Sequence, residues 1–325
     1  MKILSDKGNE FTITSGDNPG FSEIIIKNNS TNEFVSIIPD SGGRIKELWL
    51  NNGKENVSIL KKIESVDSEA RDDIFTNAKL SPFAGRIKNG KYSFNNNNYI
   101  LNLNYPEENN ACHGFIYDKK FRVVEEVVNE EYGSCAIEYV YENENKGYPF
   151  TYRISLTYKL SVGKGLTCTT KVINLSGSPI PLSDGWHPYF DLGVSINELK
   201  LRLDKLELID LDSGKIPDGR KQAYKKFNSP GELGSIQLDS CFKLNTNGKA
   251  VTELISEKRN INLQIWQDTG FGKYDYLVIY IPPDRRSIAI EPITSNINSF
   301  NNKEGLILLN KDEEFVSSFG MYIKK

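Results

Sequence analysis

The sequence predicts an all-β protein, a large antiparallel β-sandwich with few short helices. Three observations carry this. Apolar and polar residues alternate at period two over long stretches, the turn formers Asn and Gly recur between those stretches, and long amphipathic helical patterns are scarce. The chain has 325 residues, enough for a large core, and all-β architectures of this size often form one domain. No composition break marks a linker and no internal repeat stands out, so residues 1–325 are expected to be a single domain.

The elements follow in chain order. Asn52-Gly53 separates Leu48-Trp49-Leu50 from Val57-Ser58-Ile59-Leu60 and reads as a hairpin turn. The polar stretch Glu64 to Asp73 reads as a loop or a short helix. Asn95 to Asn98 separates Tyr92-Ser93-Phe94 from Tyr99-Ile100-Leu101, a second hairpin. Tyr152, Ile154, Leu156, Tyr158 and Leu160 alternate with Arg153, Ser155, Thr157 and Lys159, as in a strand with one wet face. Leu199, Leu201 and Leu203 repeat the pattern, and so do Ile261, Leu263 and Ile265 after the turn Lys258-Arg259-Asn260. Tyr276 to Ile281 is continuously apolar and is expected to be buried on both faces. Two packed sheet layers leave one broad face available as a cleft.

Composition narrows the function classes. Apolar residues are 38%, charged residues 26% and the net charge is -3, so no basic excess drives nucleic-acid or acidic-membrane binding. No stretch approaches the roughly 18 apolar residues of a membrane span, and Met1 to Lys7 holds no apolar run of signal-peptide type. Cys112, Cys135, Cys168 and Cys241 are widely spaced without a Cys-x-x-Cys pair, which fits a reducing, cytoplasmic setting and offers no zinc knuckle.

The chain contains only two histidines, and each lies in a dense cluster. His113 sits in Cys112-His113-Gly114-Phe115. His187 sits in Gly185-Trp186-His187-Pro188-Tyr189-Phe190, where the following proline holds its backbone extended. Glu291 ends the apolar run Ile288-Ala289-Ile290 and also precedes a proline; a carboxylate there is costly unless partnered. Arg86, in Leu80-Ser81-Pro82-Phe83-Ala84-Gly85-Arg86-Ile87, has the donor fork to hold ligand hydroxyls. Taken singly, each has a plainer reading: a loop histidine bonded to backbone, a packed aromatic cluster, a strand-end glutamate, a surface cation. Metal-ligand spacings between the histidines, a Gly-x-Ser-x-Gly elbow and a phosphate-binding Gly-rich loop are all absent from the sequence.

Taken together and in this order, these four motifs, with Ala289-Ile290-Glu291-Pro292 as the last, resemble the aldose 1-epimerase (mutarotase) family over most of the chain. The resemblance implies a galactose mutarotase-like sandwich with an open sugar cleft, and interconversion of the α and β anomers of a free hexose or pentose without metal or cofactor. It places Glu291 as general base, His187 as general acid, and His113 as a second catalytic histidine touching the sugar. It places Arg86 and Asp239, the latter in Leu238-Asp239-Ser240, among the sugar-binding residues. Tyr117 stands where many relatives, sugar-phosphate epimerases included, carry arginine, which disfavours a phosphorylated substrate. Asp191 stands where some mutarotases have asparagine.

Mutarotation removes a proton from the anomeric hydroxyl and delivers one to the ring oxygen. A carboxylate and an imidazolium, with ordinary pKa values of about 4.3 and 6.5, suit these tasks. A neighbouring carboxylate is expected to raise His187 and keep it protonated. Trp186, Tyr189 and Phe115 are expected to pack on the apolar face of the sugar. The competing readings are a carbohydrate-binding protein without catalysis and another glycan-active enzyme on the same sandwich. A glycoside hydrolase would need two carboxylates at a defined separation, and the sequence marks only one.

Overall fold

A computed structural model describes residues 2–4, 10–18, 20–64 and 74–325. The stretch expected as a loop or short helix after Glu64 lies outside the described residues. Among the described residues helix is limited to Ile74, one 3-10 turn, Ile196–Glu198, and one short α-helix, Ser299–Asn302. No helix of these residues is long and apolar enough to cross a membrane.

Three large antiparallel sheets make the body. The first is a meander from Lys2–Leu4 to Asn56–Ser58. The second has nine strands, running from Arg122–Val128 at one edge through Tyr132–Glu142, Thr151–Ser161, Gly165–Asn174, Glu314–Ile323, Ile261–Thr269, Gly248–Ser256 and Lys200–Leu203 to Gly231–Glu232. The third carries Pro217–Tyr224, Leu206–Leu211, Asp239–Leu244, Tyr276–Tyr280, Ile288–Ile293, Gly185–His187 and Ala78–Leu80 in that spatial order, with Tyr189–Phe190 also paired to Ile288–Ile293.

The period-two reading holds where it was strongest. Thr151–Ser161 alternates buried and half-buried residues along its whole length, with Tyr152 to Leu160 inward. The inner faces of the second and third sheets close on one apolar core that includes Leu156, Tyr158, Trp186, Phe242, Leu277, Ile279 and Phe319. At about 25 cal/mol per Å² of apolar surface removed from water, such layers dominate the stabilising side of folding. The Asn-rich hairpin is tighter than expected. Asn95 and Asn96 alone make the turn, at φ 48° and 62°, and Asn97 is already paired to Phe94. Two successive left-handed residues are what a two-residue hairpin loop demands, and Asn tolerates that conformation.

The outer face of the third sheet carries a second, smaller apolar cluster, with Phe75, Ala78, Leu80, Ala84, Cys241, Tyr276, Ile293 and Ile297. This changes the reading of Tyr276 to Ile281. Leu277 and Ile279 face the main core, whereas Val278 and Tyr280 are half-buried and line a cavity on the outer face. The run is apolar on both sides because one side packs on the main core and the other floors this cavity.

Candidate active site

His187 lies on Gly185–His187, paired antiparallel between Ala78–Leu80 and Ile288–Ile293. Successive strand residues point to opposite faces. His187 is opposite Ala78 on the outer face, and Trp186 is opposite Lys79 on the inner one. The expectation that Trp186 packs on the sugar is therefore corrected. It is 1% exposed, meets Tyr158 edge-on at 6.0 Å, packs against Phe319 at 5.4 Å and donates its indole N–H to Thr170 Oγ1 at 3.1 Å. Phe115 is corrected likewise; it stacks on Tyr141 at 5.9 Å and meets Phe83 edge-on at 5.4 Å, away from the cavity lining. Tyr189 does line the cavity and stacks on the His187 ring at 4.9 Å and 17°.

Asn77 fixes this segment and was not marked by the sequence reading. Its backbone N–H donates to the His187 carbonyl at 3.0 Å, and its Oδ1 accepts the Tyr189 N–H at 2.9 Å. Its Nδ2 donates to the carbonyls of Ile45 and Lys61 at 3.0 and 2.8 Å. One buried amide thus satisfies the chain on both sides of Pro188, which has no N–H of its own.

Glu291 arrives from Ile288–Ile293, directly opposite Val278, and Asp239 arrives opposite Tyr280. Pairing therefore sets Asp239, Tyr280, Val278 and Glu291 on one face. Arg86 comes from the two-stranded pairing of Arg86–Lys88 with Asn110–Cys112, where it opposes Cys112. His113 follows at once, with φ 66°, and Gly114 with φ 73°. A Cβ on Gly114 would lie 2.1 Å from the Ser81 carbonyl oxygen, so only glycine fits. His113 Nδ1 accepts the Gly85 N–H at 3.3 Å, which leaves the hydrogen of the neutral ring on Nε2.

These residues meet in one open-mouthed cavity of ≈ 780 Å³, mouth included. Arg86, His113, His187, Tyr189, Asp239 and Glu291, all marked by sequence, line it. So do Phe75, Tyr105 and Glu108, which the sequence did not mark. His187 Nε2 is 3.4 Å from Glu291 Oε1, and both side chains are nearly inaccessible. The two imidazole rings meet edge-on at 5.2 Å, and Phe75 backs His113 at 4.7 Å. Three carboxylates reach the cavity where the sequence marked one catalytic candidate. Two have their own cations: Glu108 takes the Arg86 fork through Nε at 2.5 Å and Nη2 at 2.9 Å, and Asp239 takes Lys215 at 2.7 Å.

The protonation state differs from the expected ion pair. Burial, reinforced by the charge of Asp239 and opposed by Arg86, pushes Glu291 well above the usual carboxylate range. Burial also pushes His187 down to about 3, and pushes His113 well below its ordinary value, with His187 and Arg86 acting in the same direction. Removal of both partners from water disfavours their charged forms, so burial favours a neutral carboxyl beside a neutral imidazole. Burial opposes the charge on Arg86, but its ion pair with Glu108, helped by Asp239, outweighs this and holds the guanidinium charged.

The sandwich belongs to the galactose mutarotase-like fold class. The family model for aldose 1-epimerase matches residues 23–322, and the chain belongs to that family. It is similar to the uncharacterized protein YihR of Escherichia coli K12, 22% identical over 75% of this chain and 77% of that one. It is also similar to the bifunctional protein GAL10 of Kluyveromyces lactis, 26% identical over 89% of this chain but only 45% of that longer protein. Among solved structures, a galactose mutarotase-like protein from Clostridium acetobutylicum superposes with a TM-score of 0.83 at 25% identity, over 97% of this chain and 99% of that one. Galactose 1-epimerase from Lactobacillus acidophilus NCFM superposes with a TM-score of 0.79 at 18% identity, over 98% and 99%; at that identity the likeness is one of fold.

Proposed function

We propose that this chain, as one domain, is an aldose 1-epimerase that interconverts the α and β anomers of a free aldose by acid–base ring opening and reclosure. The observation that carries the reading is the 3.4 Å approach of His187 Nε2 to Glu291 Oε1 inside a cavity rimmed by Arg86, His113 and Asp239. The couple holds one proton. With the sugar bound, that proton resides on His187, and Glu291 is the carboxylate. Glu291 takes the proton of the anomeric hydroxyl while His187 gives its proton to the ring oxygen, and the C1–O5 bond opens to an aldehyde. Rotation about C1–C2 and reversal of both transfers yields the other anomer.

Burial drives this step. A carboxylate whose pKa is raised is a stronger base, and an imidazolium whose pKa is lowered is a stronger acid. Ring opening returns the couple to the neutral form that burial of the two side chains favours. His113, neutral with its hydrogen on Nε2, serves as a fixed hydrogen-bond donor to the sugar. Arg86 and Asp239 hold hydroxyls, and Tyr189 offers an aromatic face. The four cysteines are free and buried, which supports the cytoplasmic setting.

Polarimetry of freshly dissolved α-glucose, α-galactose, xylose and arabinose tests the proposal. Relaxation to equilibrium faster than in buffer is the expected result. Saturable sugar binding with the buffer rate for every sugar would make the chain a carbohydrate-binding protein instead.

The pH profile has a definite expected shape. Below about pH 3 the free couple carries two protons, and above the raised pKa of Glu291 it carries none; between these limits it carries the single proton catalysis needs. Because kcat/KM reports the free enzyme, its fall on the acid side is expected toward about pH 3, with no inflection at the ordinary histidine value. An inflection at the ordinary histidine value, about 6.5, would show that His187 is not desolvated as described.

A further inference from the structure

We propose that Glu108 is a positioning and specificity residue that restricts this site to uncharged aldoses by occupying the guanidinium of Arg86. The inference rests on the mutarotase reading and names the substrate class of the same site.

The arrangement is built in. The loop before Asn110–Cys112 is tied down at several points. Asn104 exchanges hydrogen bonds with the Cys112 backbone at 2.7 and 3.0 Å, Tyr105 exchanges backbone bonds with Asn110, and Asn110 Nδ2 donates to the Gly214 carbonyl at 2.9 Å. Tyr105 packs against Arg86, with the guanidinium carbon 5.8 Å from its ring centroid. The loop thus brings Glu108 onto the strand that carries Arg86, and both Glu108 oxygens take guanidinium donors. The Arg86 and Glu108 side chains are 16% and 22% exposed, so the pair is shielded on most sides. Burial opposes the charge on Glu108, but its contacts with Arg86 outweigh this and hold it ionised.

The charge balance follows. Arg86 is matched by Glu108 and Lys215 by Asp239, while the Glu291–His187 couple is neutral overall. A neutral sugar entering this hollow meets donors and acceptors without leaving any charge unmatched. A hexuronate carries a carboxylate that would compete with Glu108 for the same planar fork and leave one of the two anions unpaired. Specificity of this kind comes from repulsion of the wrong ligand as much as from attraction of the right one.

The test measures anomer exchange by NMR for galactose, galacturonate and the methyl ester of galacturonic acid, with wild type, Glu108→Gln and Glu108→Asp. Wild type is expected to turn over galactose and the uncharged ester at least about tenfold better than galacturonate. Glu108→Gln is expected to raise the galacturonate-to-galactose ratio of kcat/KM by about tenfold or more, chiefly through KM, and Glu108→Asp to restore the wild-type ratio. A ratio unchanged by Glu108→Gln would overturn the inference. So would equal wild-type turnover of galacturonate and its ester, a comparison that needs no variant to fold. Acceleration of none of the free sugars would overturn the mutarotase reading itself, which distinguishes the two failures.

Discussion

Glu291→Gln and His187→Ala are each expected to lower kcat for anomer exchange by about 10²–10⁴, with the fold intact. Gln keeps the shape of the neutral carboxyl that the buried site already favours, so Glu291→Gln removes the proton acceptor without stranding a charge. His187 faces the cavity and leaves the main core untouched when truncated. The two residues move one shared proton, so the double variant is expected to be little worse than either single variant. Anomer-exchange rates at saturating sugar, corrected for the buffer rate, decide this. Near wild-type rates in both variants would remove these residues from the mechanism.

Lys79→Ala is expected to carry the largest stability loss, about 3–5 kcal/mol by urea unfolding, because it strands a buried carboxylate. Lys79 and Asp184 are both fully buried and form an ion pair beneath the strand that carries His187. Lys79 also donates to the Gly185 carbonyl at 2.9 Å and lies over the Trp186 ring at 4.9 Å, while the Tyr274 hydroxyl donates to Asp184 Oδ1 at 2.9 Å. Burial pushes Lys79 down to about 8 and Asp184 up, so mutual attraction only partly offsets the loss of water. Replacing the pair together, as Lys79→Met with Asp184→Leu, is therefore expected to cost far less than Lys79→Ala alone. A single variant as stable as the wild type would show that the pair has no such role.

The strand pattern was legible in the sequence for physical reasons, whereas the gathering of Arg86, His113, His187, Asp239, Tyr189 and Glu291 was an implication of the family resemblance. Period-two alternation is local, and Gly and Pro mark stiff or left-handed backbone next to His113, His187 and Glu291. What was missed depended on information that a linear motif lacks. Trp186 was grouped with His187 by adjacency, yet adjacency in a strand means opposite faces. Glu108 sits in an Asn- and Glu-rich loop that reads as solvated, and only the fold brings it to Arg86, 22 residues earlier. Asn77 carries no signature at all, since its role lies in four backbone groups drawn from three other segments. The protonation state was misjudged because the sequence shows which charges are near one another and not how little water reaches them.

The shared proton of the Glu291–His187 couple is tested most directly by nitrogen NMR of isotope-labelled histidine in untagged protein, where only two imidazoles contribute. Near pH 6, without sugar, both rings are expected to be neutral, with the hydrogen of His113 on Nε2. A saturating aldose is expected to shift the His187 ring toward the protonated form and leave His113 neutral. A His187 ring that titrates near its ordinary value and ignores every sugar would contradict the account.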